Sequence, residues 1–377
     1  MKIKTLLLFT LLVSTSTGQA GGLVPIPPNI GASSYLLVDY HSGQYLAENN
    51  INARAEPASL TKIMTVYVVA DELAKGSIGL EDKVKISEKA WRMEGSRMFI
   101  EVGKLVSVAD LLRGVIVQSG NDASVALAEY VSGDEEVFAA MMNQYAAQLG
   151  MTGSNFVNST GLPDPNHYTT AADMAKLAVA LIQDFPAIYL WHAEKQFTFN
   201  GIKQNNRNGL LWRDDSVDGI KTGHTEAAGF CLVASAARSG MRLVSVIMGA
   251  ANDGTRTRES QALLNYGFRF YETRRLFTPG EVIADSRVWK GAVESFNLGL
   301  AEGLVVTIPR GRHKQLQTAV VLQEQIIAPV DKGAAYGEFN VTLGEKQIAN
   351  LPLVALDSVA PGSWFERMLD EVRLLFE

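Results

Sequence analysis

Two hairpin patterns that lie far apart in the chain constrain its fold more than any other feature. Residues 34–48 alternate between apolar and polar side chains as two strands joined by a turn at 41–43, and residues 229–248 do the same around a turn at 238–240. Such alternation is typical of half-buried antiparallel strands. Mostly helix-period sequence with capping residues lies between them. The simplest arrangement is an α+β domain in which one antiparallel sheet is built from both ends and a helical cluster is inserted in the middle, with a cleft between them.

Residues 56–76 predict a buried helix whose first turn carries reactive side chains. Pro57 suits the first turn of a helix and Gly76 suits its end. Ser59 and Lys62 are one helical turn apart, so the hydroxyl and the amine can touch. A serine becomes a good nucleophile when a base takes its proton, and a lysine is such a base only when it is neutral. The helix N-terminus and burial both favour the neutral amine, although a solvated pair is the simpler interpretation of so short a pattern.

Two more short motifs follow in order. Ser-x-x-Lys and Lys-Thr-Gly each occur once in the chain, at 59–62 and 221–223. Ser119-Gly120-Asn121 lies between them on a tight break between two helices, where short polar side chains can point into a cleft. The Ser-x-Asn pattern is weak, since 295–297 also matches it, and an ordinary helix–helix turn explains it as well. We predict that the Lys-Thr-Gly triplet lies on a strand at the sheet edge facing the helices; an exposed strand lysine is the simpler interpretation.

The last third of the chain changes character. Residues 276–357 read as short alternating strands separated by turns, which predicts a small β-sandwich or barrel. The basic group at 310–314 is interpreted as a solvated turn. In the tail, residues 358–377, Ser363 and Glu366 form a capping box in front of a helix with one apolar face. Such a face must be buried, either on the protein or in a membrane interface.

The composition and the N-terminal segment indicate where the protein acts and which partners and cofactors it lacks. Residues 1–20 have the three parts of a secretory signal: a basic start, an apolar core at 6–13 and a small-x-small cleavage site at 18–20. We therefore expect export. The formal net charge of −6 argues against nucleic acid as a partner. The single cysteine, Cys231, excludes an internal disulfide framework. The histidines lack metal-ligand spacing and there is no Walker or dinucleotide motif, so we expect neither metal nor cofactor.

The three motifs, in this order, resemble the signature of the penicillin-recognising serine acyltransferases. The longer stretches Pro-Ala-Ser-Leu-Thr-Lys, Gln-Ser-Gly-Asn-Asp-Ala and Asp-Gly-Ile-Lys-Thr-Gly-His-Thr resemble the low-molecular-mass penicillin-binding proteins, the D-alanyl-D-alanine carboxypeptidases. The resemblance covers nearly the whole chain after the signal segment. It implies a β-lactamase/transpeptidase-like domain at 21–275, a small all-β domain at 276–357 and a C-terminal amphipathic helix at 358–377.

The resemblance also implies a reaction, the removal of the terminal D-Ala from peptidoglycan stem pentapeptides. Ser59 would attack the penultimate peptide carbonyl and Lys62 would accept its proton. The backbone N–H groups of Ser59 and His224 would form the oxyanion hole, and Ser119 and Lys221 would relay a proton to the leaving amine. Water would then hydrolyse the acyl-enzyme, and β-lactam antibiotics would acylate the same serine. On physical grounds the charge of Lys221 would also help to keep Lys62 neutral.

Other residues would bind the substrate. Asn121 would hold the substrate amide, and Thr222 with Arg256 would bind the terminal carboxylate, which calls for a cation and a hydroxyl. Arg258 is two positions away, so the choice of arginine stays open. Three further residues complete the third motif or shape the cleft: Gly223, Arg207 and Asp173.

One departure and three alternatives remain. The stretch 87–103 is shorter than in the best-known members, which could alter access and deacylation. A β-lactamase of class A needs a Glu-x-x-x-Asn loop, and 122–220 contains none. Intact motifs argue against a binding protein without chemistry, while an endopeptidase that cuts cross-links with the same residues stays open. The tail helix is expected to hold the protein on the periplasmic face of the cytoplasmic membrane.

Overall fold

The computed structural model describes residues 24–375 of the chain. The predicted signal segment, residues 1–20, and the last two residues of the tail lie outside the described residues.

The first region, up to residue 270, combines a five-stranded sheet, two small two-stranded sheets and eight α-helices among the described residues. Its strands are β1 Ser34–Asp39, β2 Tyr45–Asn49, β3 Lys83–Lys85, β4 Leu105–Ser107, β5 Gln196–Phe199, β6 Ile202–Asn205, β7 Val217–Thr225, β8 Gly229–Arg238 and β9 Met241–Ala250. Its helices are α1 Thr61–Ala74, α2 Glu88–Trp91, α3 Val108–Arg113, α4 Asn121–Ser132, α5 Glu135–Gln148, α6 Ala171–Asp184, α7 Pro186–Tyr189 and α8 Asp253–Phe270.

The five-stranded sheet has the antiparallel order β2-β1-β9-β8-β7. Both predicted hairpins are present, and β1 pairs with β9, with Leu37 opposite Ser245. The sheet is therefore built from both ends of the region, as the sequence predicted. The strand with the Lys-Thr-Gly triplet, β7, lies at the edge and pairs with β8 alone.

The sheet separates two apolar cores. Leu36 and Val38 of β1 pack with the helical cluster, while Leu37 between them packs with Leu263 of α8 on the opposite face. This is the two-residue alternation of a strand. Helix α1 crosses the middle of the cluster, where every residue from 61 to 70 is buried. A helix with so few polar positions belongs in an interior.

The predicted helix at 56–76 is present, but its start differs from the prediction. The α-helix begins at Thr61, and Ser59 lies in a preceding 3₁₀ turn, Ala58–Leu60. Ala58 has a φ of 47°, a left-handed conformation that a regular α-helix of L-residues does not contain. The far end matches the prediction, since Gly76 follows the helix with a φ of 74°.

The second region is all-β, as predicted, and also includes a short 3₁₀ turn. Its strands are β10 Tyr271–Phe277, β11 Val282–Arg287, β12 Ser295–Gly299, β13 Leu304–Pro309, β14 Leu316–Leu322, β15 Ala335–Leu343 and β16 Lys346–Ala355. They form a five-stranded sheet of order β11-β12-β16-β15-β14 and a two-stranded sheet of β10 and β13. Because β10 pairs with β13, the β-region begins at Tyr271, ahead of the predicted boundary at 276.

Hydrogen bonds join the two regions at the β1–β2 turn and the end of α8. The hydroxyl of Ser42 lies 2.7 Å from that of Thr307, and Thr273 donates to Asp39 at 2.5 Å. Arg310 donates to the carbonyl oxygen of Phe268 at 2.6 Å. Arg310 is therefore a junction residue, whereas the sequence was interpreted as placing it in a solvated turn.

The tail forms helix α9, Trp364–Leu374. Ser363 is its N-cap and forms the predicted capping box with Glu366. Within the described residues, no single helix is long and apolar enough to cross a membrane. One bent pair of helices, Ala171–Asp184 with Pro186–Ala193, is long and apolar enough to span a membrane by length and composition alone. Much of its first helix is buried in the core.

Gly161 allows a close approach that fixes the Ser59 turn. It follows Thr160 in a loop whose backbone is held by the Asn158 carboxamide, which accepts from the N–H of Gly161 at 2.7 Å. Its φ is 83°, and a Cβ there would lie 1.8 Å from the carbonyl oxygen of Ala58. A side chain at this position is excluded by both the local conformation and the neighbouring backbone.

We predict that Gly161→Ala lowers the free energy of unfolding by more than about 3 kcal/mol, because left-handed strain of about 1–2 kcal/mol adds to a backbone clash. Gly43→Ala is the matched control: its φ is 68°, but no atom lies within 4 Å of the added Cβ. Urea unfolding of both variants measures the difference. Equal losses in the two variants would show that the contact with Ala58 is unimportant.

Candidate active site

The amine of Lys62 is the centre of a buried polar cluster. The residue has no exposed surface. Its Nζ lies 3.1 Å from the hydroxyl oxygen of Ser59, 2.7 Å from Oδ1 of Asn121 and 2.6 Å from the backbone oxygen of Thr160. The structure therefore brings the first motif and part of the second into direct contact. It adds a carbonyl group that no motif had indicated.

The second motif owes its position to a break in the helical cluster. A short π-helical segment, Gly114–Gln118, follows α3 and ends at Ser119, whose φ of 65° is left-handed. The chain then turns and α4 begins at Asn121. Ser119 is buried, with 3% of its surface exposed. The predicted tight break between helices is confirmed.

The 87–103 segment packs directly on the second motif. Asn121 donates through Nδ2 to the carbonyl oxygen of Glu94 at 2.6 Å, and its own N–H donates to Ser96 at 2.7 Å. The buried carboxylate of Asp122 accepts from the backbone N–H groups of Met98 and Phe99 at 3.0 and 2.9 Å. The segment thus holds the side chain that contacts Lys62. The sequence indicated Asp122 only as a residue near a helix start, and its role in holding the 87–103 segment was not predicted.

The third motif approaches the nucleophile from the sheet edge. A Cβ on Gly223 would lie 3.0 Å from the carbonyl oxygen of Pro57 and 3.2 Å from the nitrogen of Leu60. The glycine therefore lets the backbone of β7 pass against the turn that carries Ser59. His224, the next residue, is exposed and its ring packs on Phe230 with centroids 4.0 Å apart.

Burial and positive charge set the ionisation of the two lysines. Burial, followed by the positive charge of the Arg207 guanidinium, lowers the pKa of Lys62 to about 7, against an opposing effect of Asp122. Burial, followed by the charges of Lys62, Arg207 and Arg256, lowers the pKa of Lys221 well below its usual value. The sequence had suggested that Lys221 keeps Lys62 neutral. In the structure, burial comes first and Arg207 is the cation that depresses the pKa of Lys62.

Of the two candidate arginines, Arg256 lies beside the third motif. It is buried and donates through Nη1 to the carbonyl oxygen of Gly223 at 2.8 Å, while Nη2 contacts Asp253 at 2.5 Å. Arg258 is exposed and bonds to Thr255. This placement favours Arg256 as the substrate-facing cation.

Of the remaining predicted residues, Arg207 and Thr222 lie near the motifs, whereas Asp173 has its hydrogen bonds elsewhere. Arg207 is exposed and donates to the carbonyl oxygen of Gln118, one residue before Ser119, at 3.2 Å, and Thr222 is buried on β7. Asp173 accepts from Gly153 and Ser154 at the start of α6, and no hydrogen bond in the described residues joins it to any of the three motifs. Among residues 24–375, no hydrogen bond joins the hydroxyl of Ser119 to the amine of Lys221. The latter donates to Thr222 O at 3.2 Å.

A partly exposed serine in contact with a buried lysine, at the junction of a sheet edge and a helical cluster, defines a class of protein, the serine hydrolases that use lysine as the base. Residues 23–252 match the family model described as D-alanyl-D-alanine carboxypeptidase. Residues 271–361 match the model described as penicillin-binding protein 5, C-terminal domain. The chain belongs to the D-alanyl-D-alanine carboxypeptidase family.

Individual relatives agree over nearly the full length. D-alanyl-D-alanine carboxypeptidase DacC of Escherichia coli (strain K12) is 46% identical over 357 residues, which cover 93% of this chain and 89% of that protein. DacA of the same strain is 43% identical over 362 residues, covering 94% and 90%. The structure of penicillin binding protein 5 from Haemophilus influenzae superposes with a TM-score of 0.87 at 45% identity, covering 89% of this chain and 99% of that one. The family and fold class inferred from the sequence are confirmed.

We predict that the rate of acylation by a penicillin falls about tenfold per pH unit below pH 7, because only neutral Lys62 can accept the proton of Ser59. Arg207→Gln removes the cation that lowers the pKa of Lys62, so the acidic limb of the profile should move to higher pH. Stopped-flow acylation across pH 5–9 measures the midpoint independently of any change in the maximal rate.

Arg258→Gln is the matched control, because this exposed arginine lies outside the cluster. Its profile should equal that of the unaltered protein. A midpoint that Arg207→Gln leaves in place would contradict the proposed link between Arg207 and Lys62.

Proposed function

We propose that this protein is a serine D-alanyl-D-alanine carboxypeptidase that removes the terminal D-Ala of peptidoglycan stem pentapeptides through an acyl-enzyme on Ser59. Penicillins acylate the same hydroxyl. The observation that carries the proposal is the 3.1 Å contact between the hydroxyl of Ser59 and the buried amine of Lys62, in a chain of this family.

The surroundings of Lys62 match the needs of a neutral amine. Such an amine has two N–H donors and one lone pair. The carboxamide oxygen of Asn121 and the carbonyl oxygen of Thr160 are acceptors that take both donors, at 2.7 and 2.6 Å. The lone pair is then left for the hydroxyl proton of Ser59. With a pKa of about 7, lowered first by burial, a large fraction of Lys62 is neutral at physiological pH.

We propose the following reaction. Ser59 Oγ attacks the penultimate carbonyl carbon as its proton passes to Lys62, and the N–H groups of Ser59 and His224 stabilise the oxyanion. The C–N bond breaks as the proton held by Lys62 is relayed through Ser119 and Lys221 to the leaving amine, so that free D-Ala departs and Lys62 is neutral again. Water attacks the ester, which releases the shortened peptide and restores the Ser59 hydroxyl.

Substrate recognition is assigned to the groups around the third motif. Asn121 holds the substrate amide, and the hydroxyl of Thr222 with Arg256 binds the terminal carboxylate. Arg207 adds a second positive charge at the cleft. The position of Arg256 against Gly223 supports this assignment, since it places the guanidinium next to the strand that carries Thr222.

The protein is proposed to act after export, on the periplasmic face of the cytoplasmic membrane, with α9 as a peripheral anchor. The apolar side chains of α9 are exposed, Trp364 at 70% and Phe365 at 60%. Two of its acidic residues contact the β-region instead: Asp370 accepts from the N–H of Lys290 at 2.7 Å, and Glu371 pairs with the Lys290 ammonium. The basic partners offset the negative charge of the helix that would otherwise weaken its approach to anionic lipid.

We expect the protein to release D-Ala from a pentapeptide ending in D-Ala-D-Ala, with no release from the Ser59→Ala variant. Intact-mass analysis after exposure to a penicillin should show a single adduct that Ser59→Ala lacks. Lys62→Ala should stay folded and fail to acylate, because the base is gone. An adduct that persists in Ser59→Ala would falsify the assignment of the nucleophile.

A substrate peptide with an amidated C-terminus distinguishes a carboxypeptidase, which needs the free terminal carboxylate, from an endopeptidase, which does not. The amide has no charge for Arg256 and Thr222 to bind, and a charge-assisted hydrogen bond contributes about 1.5–3 kcal/mol, or about ten- to a hundredfold in kcat/KM. We therefore expect the amidated pentapeptide to be cleaved at least about tenfold less efficiently. Equal cleavage of the two peptides would favour the endopeptidase.

Truncation after Pro361 tests the anchor. We expect the truncated protein to lose its binding to liposomes and to keep its activity on small peptides. Phe365→Ser combined with Leu375→Ser should weaken liposome binding, because Phe365 is exposed on α9 and Leu375 is exposed directly after its last residue, whereas Val321→Ser on β14 should not. If the truncated protein unfolds at a markedly lower temperature and the intact protein ignores liposomes, α9 is a packing element.

A further inference from the structure

His192 is a buried residue that neither the motifs nor the proposed reaction uses. It lies in the 3₁₀ turn Leu190–Ala193 with 1% of its surface exposed, and its ring stacks on Tyr189 with centroids 5.7 Å apart. Its Nδ1 lies 2.9 Å from the backbone oxygen of Ile220. A carbonyl oxygen can only accept, so Nδ1 carries the proton and donates it. Nε2 is buried without a partner in residues 24–375.

The acceptor of the His192 hydrogen bond, Ile220, is the residue directly before Lys221. The Lys221 side chain is buried, and in the described part of the chain its amine makes a single hydrogen bond, to Thr222 O at 3.2 Å. Few side-chain contacts therefore fix the amine, and its position depends on the backbone of the strand. Burial lowers the pKa of His192 to about 4, so the imidazole is neutral at pH 7 and adds no positive charge beside the lysine.

The 3₁₀ turn covers an edge that has no strand partner. Because β7 is the edge of the sheet, its outward carbonyl groups need donors from elsewhere. Asn208 donates to the carbonyl oxygen of Gly219 at 2.9 Å, and His192 donates to the carbonyl oxygen of Ile220. The packing is close: a Cβ on Gly219 would lie 2.9 Å from the hydroxyl oxygen of Tyr189 and 3.3 Å from Cβ of His192.

We propose that His192 is a positioning residue for Lys221: its Nδ1–H holds the Ile220 carbonyl group and so fixes the backbone from which the lysine reaches the cleft. Loss of the donor would leave a buried carbonyl group unpaired, which the strand would relieve by shifting. The inference rests on the proposed function, because it takes Lys221 as the group that delivers a proton to the leaving amine.

A pair of nearly isosteric variants isolates the hydrogen bond. In His192→Asn the carboxamide nitrogen can take the place of Nδ1 and donate, whereas in His192→Leu a side chain of similar volume cannot. Both lose the outer part of the ring, so the cavity is common to both. We expect kcat for D-Ala release by the leucine variant to be about fivefold or more below that of the asparagine variant, with similar KM, since Lys221 acts in proton transfer and not in binding.

A double-mutant cycle separates positioning from general packing. In a Lys221→Ala background, the difference between leucine and asparagine at position 192 in penicillin acylation rate should vanish, because the residue that it positions is gone. The inference is overturned if the leucine and asparagine variants still differ in acylation rate in the Lys221→Ala background. It is also overturned if the two variants have equal rates when Lys221 is present.

The cycle also distinguishes this inference from the proposed function. If Lys221→Ala acylates at the unaltered rate, the proposed role of Lys221 is wrong and the positioning role falls with it. If Lys221→Ala is impaired and the two His192 variants are equal, only the positioning role is wrong. Circular dichroism melting checks folding. Should the leucine variant fail to fold, His192→Phe, which keeps the ring stack on Tyr189 but lacks the donor, takes its place in both comparisons.

Discussion

The burial of one amine organises this molecule. Lys62 has no exposed surface, and an ammonium at such a depth costs more free energy than a neutral amine. Burial and the charge of Arg207 favour the neutral form, whose Nζ lies within hydrogen-bond distance of two carbonyl-type acceptors and one hydroxyl. The three partners come from three parts of the chain: the turn before α1, the start of α4, and the loop that contains Thr160. Each of these parts is held in turn by contacts that have no chemical task of their own.

Those supporting contacts explain several positions that look unrelated in the sequence. Gly161 lets the Thr160 loop lie against the carbonyl group of Ala58, and Gly223 lets the sheet edge pass the same turn. Asp122 ties the 87–103 segment to the beginning of α4 by accepting backbone N–H groups. A change in the length of that segment therefore acts on Asn121, and through Asn121 on the amine of Lys62. This route links the 87–103 segment to the amine of Lys62 without requiring the segment to touch the substrate.

The sequence predicted the parts of the site that depend on local spacing. Ser59 and Lys62 are one turn apart, β7 carries a compact triplet, and Ser363 with Glu366 marks the start of α9. It could not predict the Thr160 carbonyl group, because every residue has one and only the fold brings this one to Lys62. The effect of Arg207 on the pKa of Lys62 was missed for a similar reason, since a charge acts through distance in the folded chain. The start of α1 was placed too early because left-handed Ala58 has no sequence signal.

The positive charges of the cleft couple substrate binding to the ionisation of the base. Arg207 lowers the pKa of Lys62, while Arg207 and Arg256 both lower that of Lys221. In the proposed complex a terminal carboxylate lies among these cations and cancels part of their field. The pKa of each lysine then rises, by the same electrostatic effect with the opposite sign. For Lys221, which must give a proton to the leaving amine, the rise favours the protonated form that the step needs. For Lys62 it makes the amine a stronger base but leaves less of it neutral at a given pH. Arg207 is the cation that lowers the pKa of Lys62, so the partial cancellation of its charge by the bound carboxylate is the point at which substrate binding opposes the activation of Ser59.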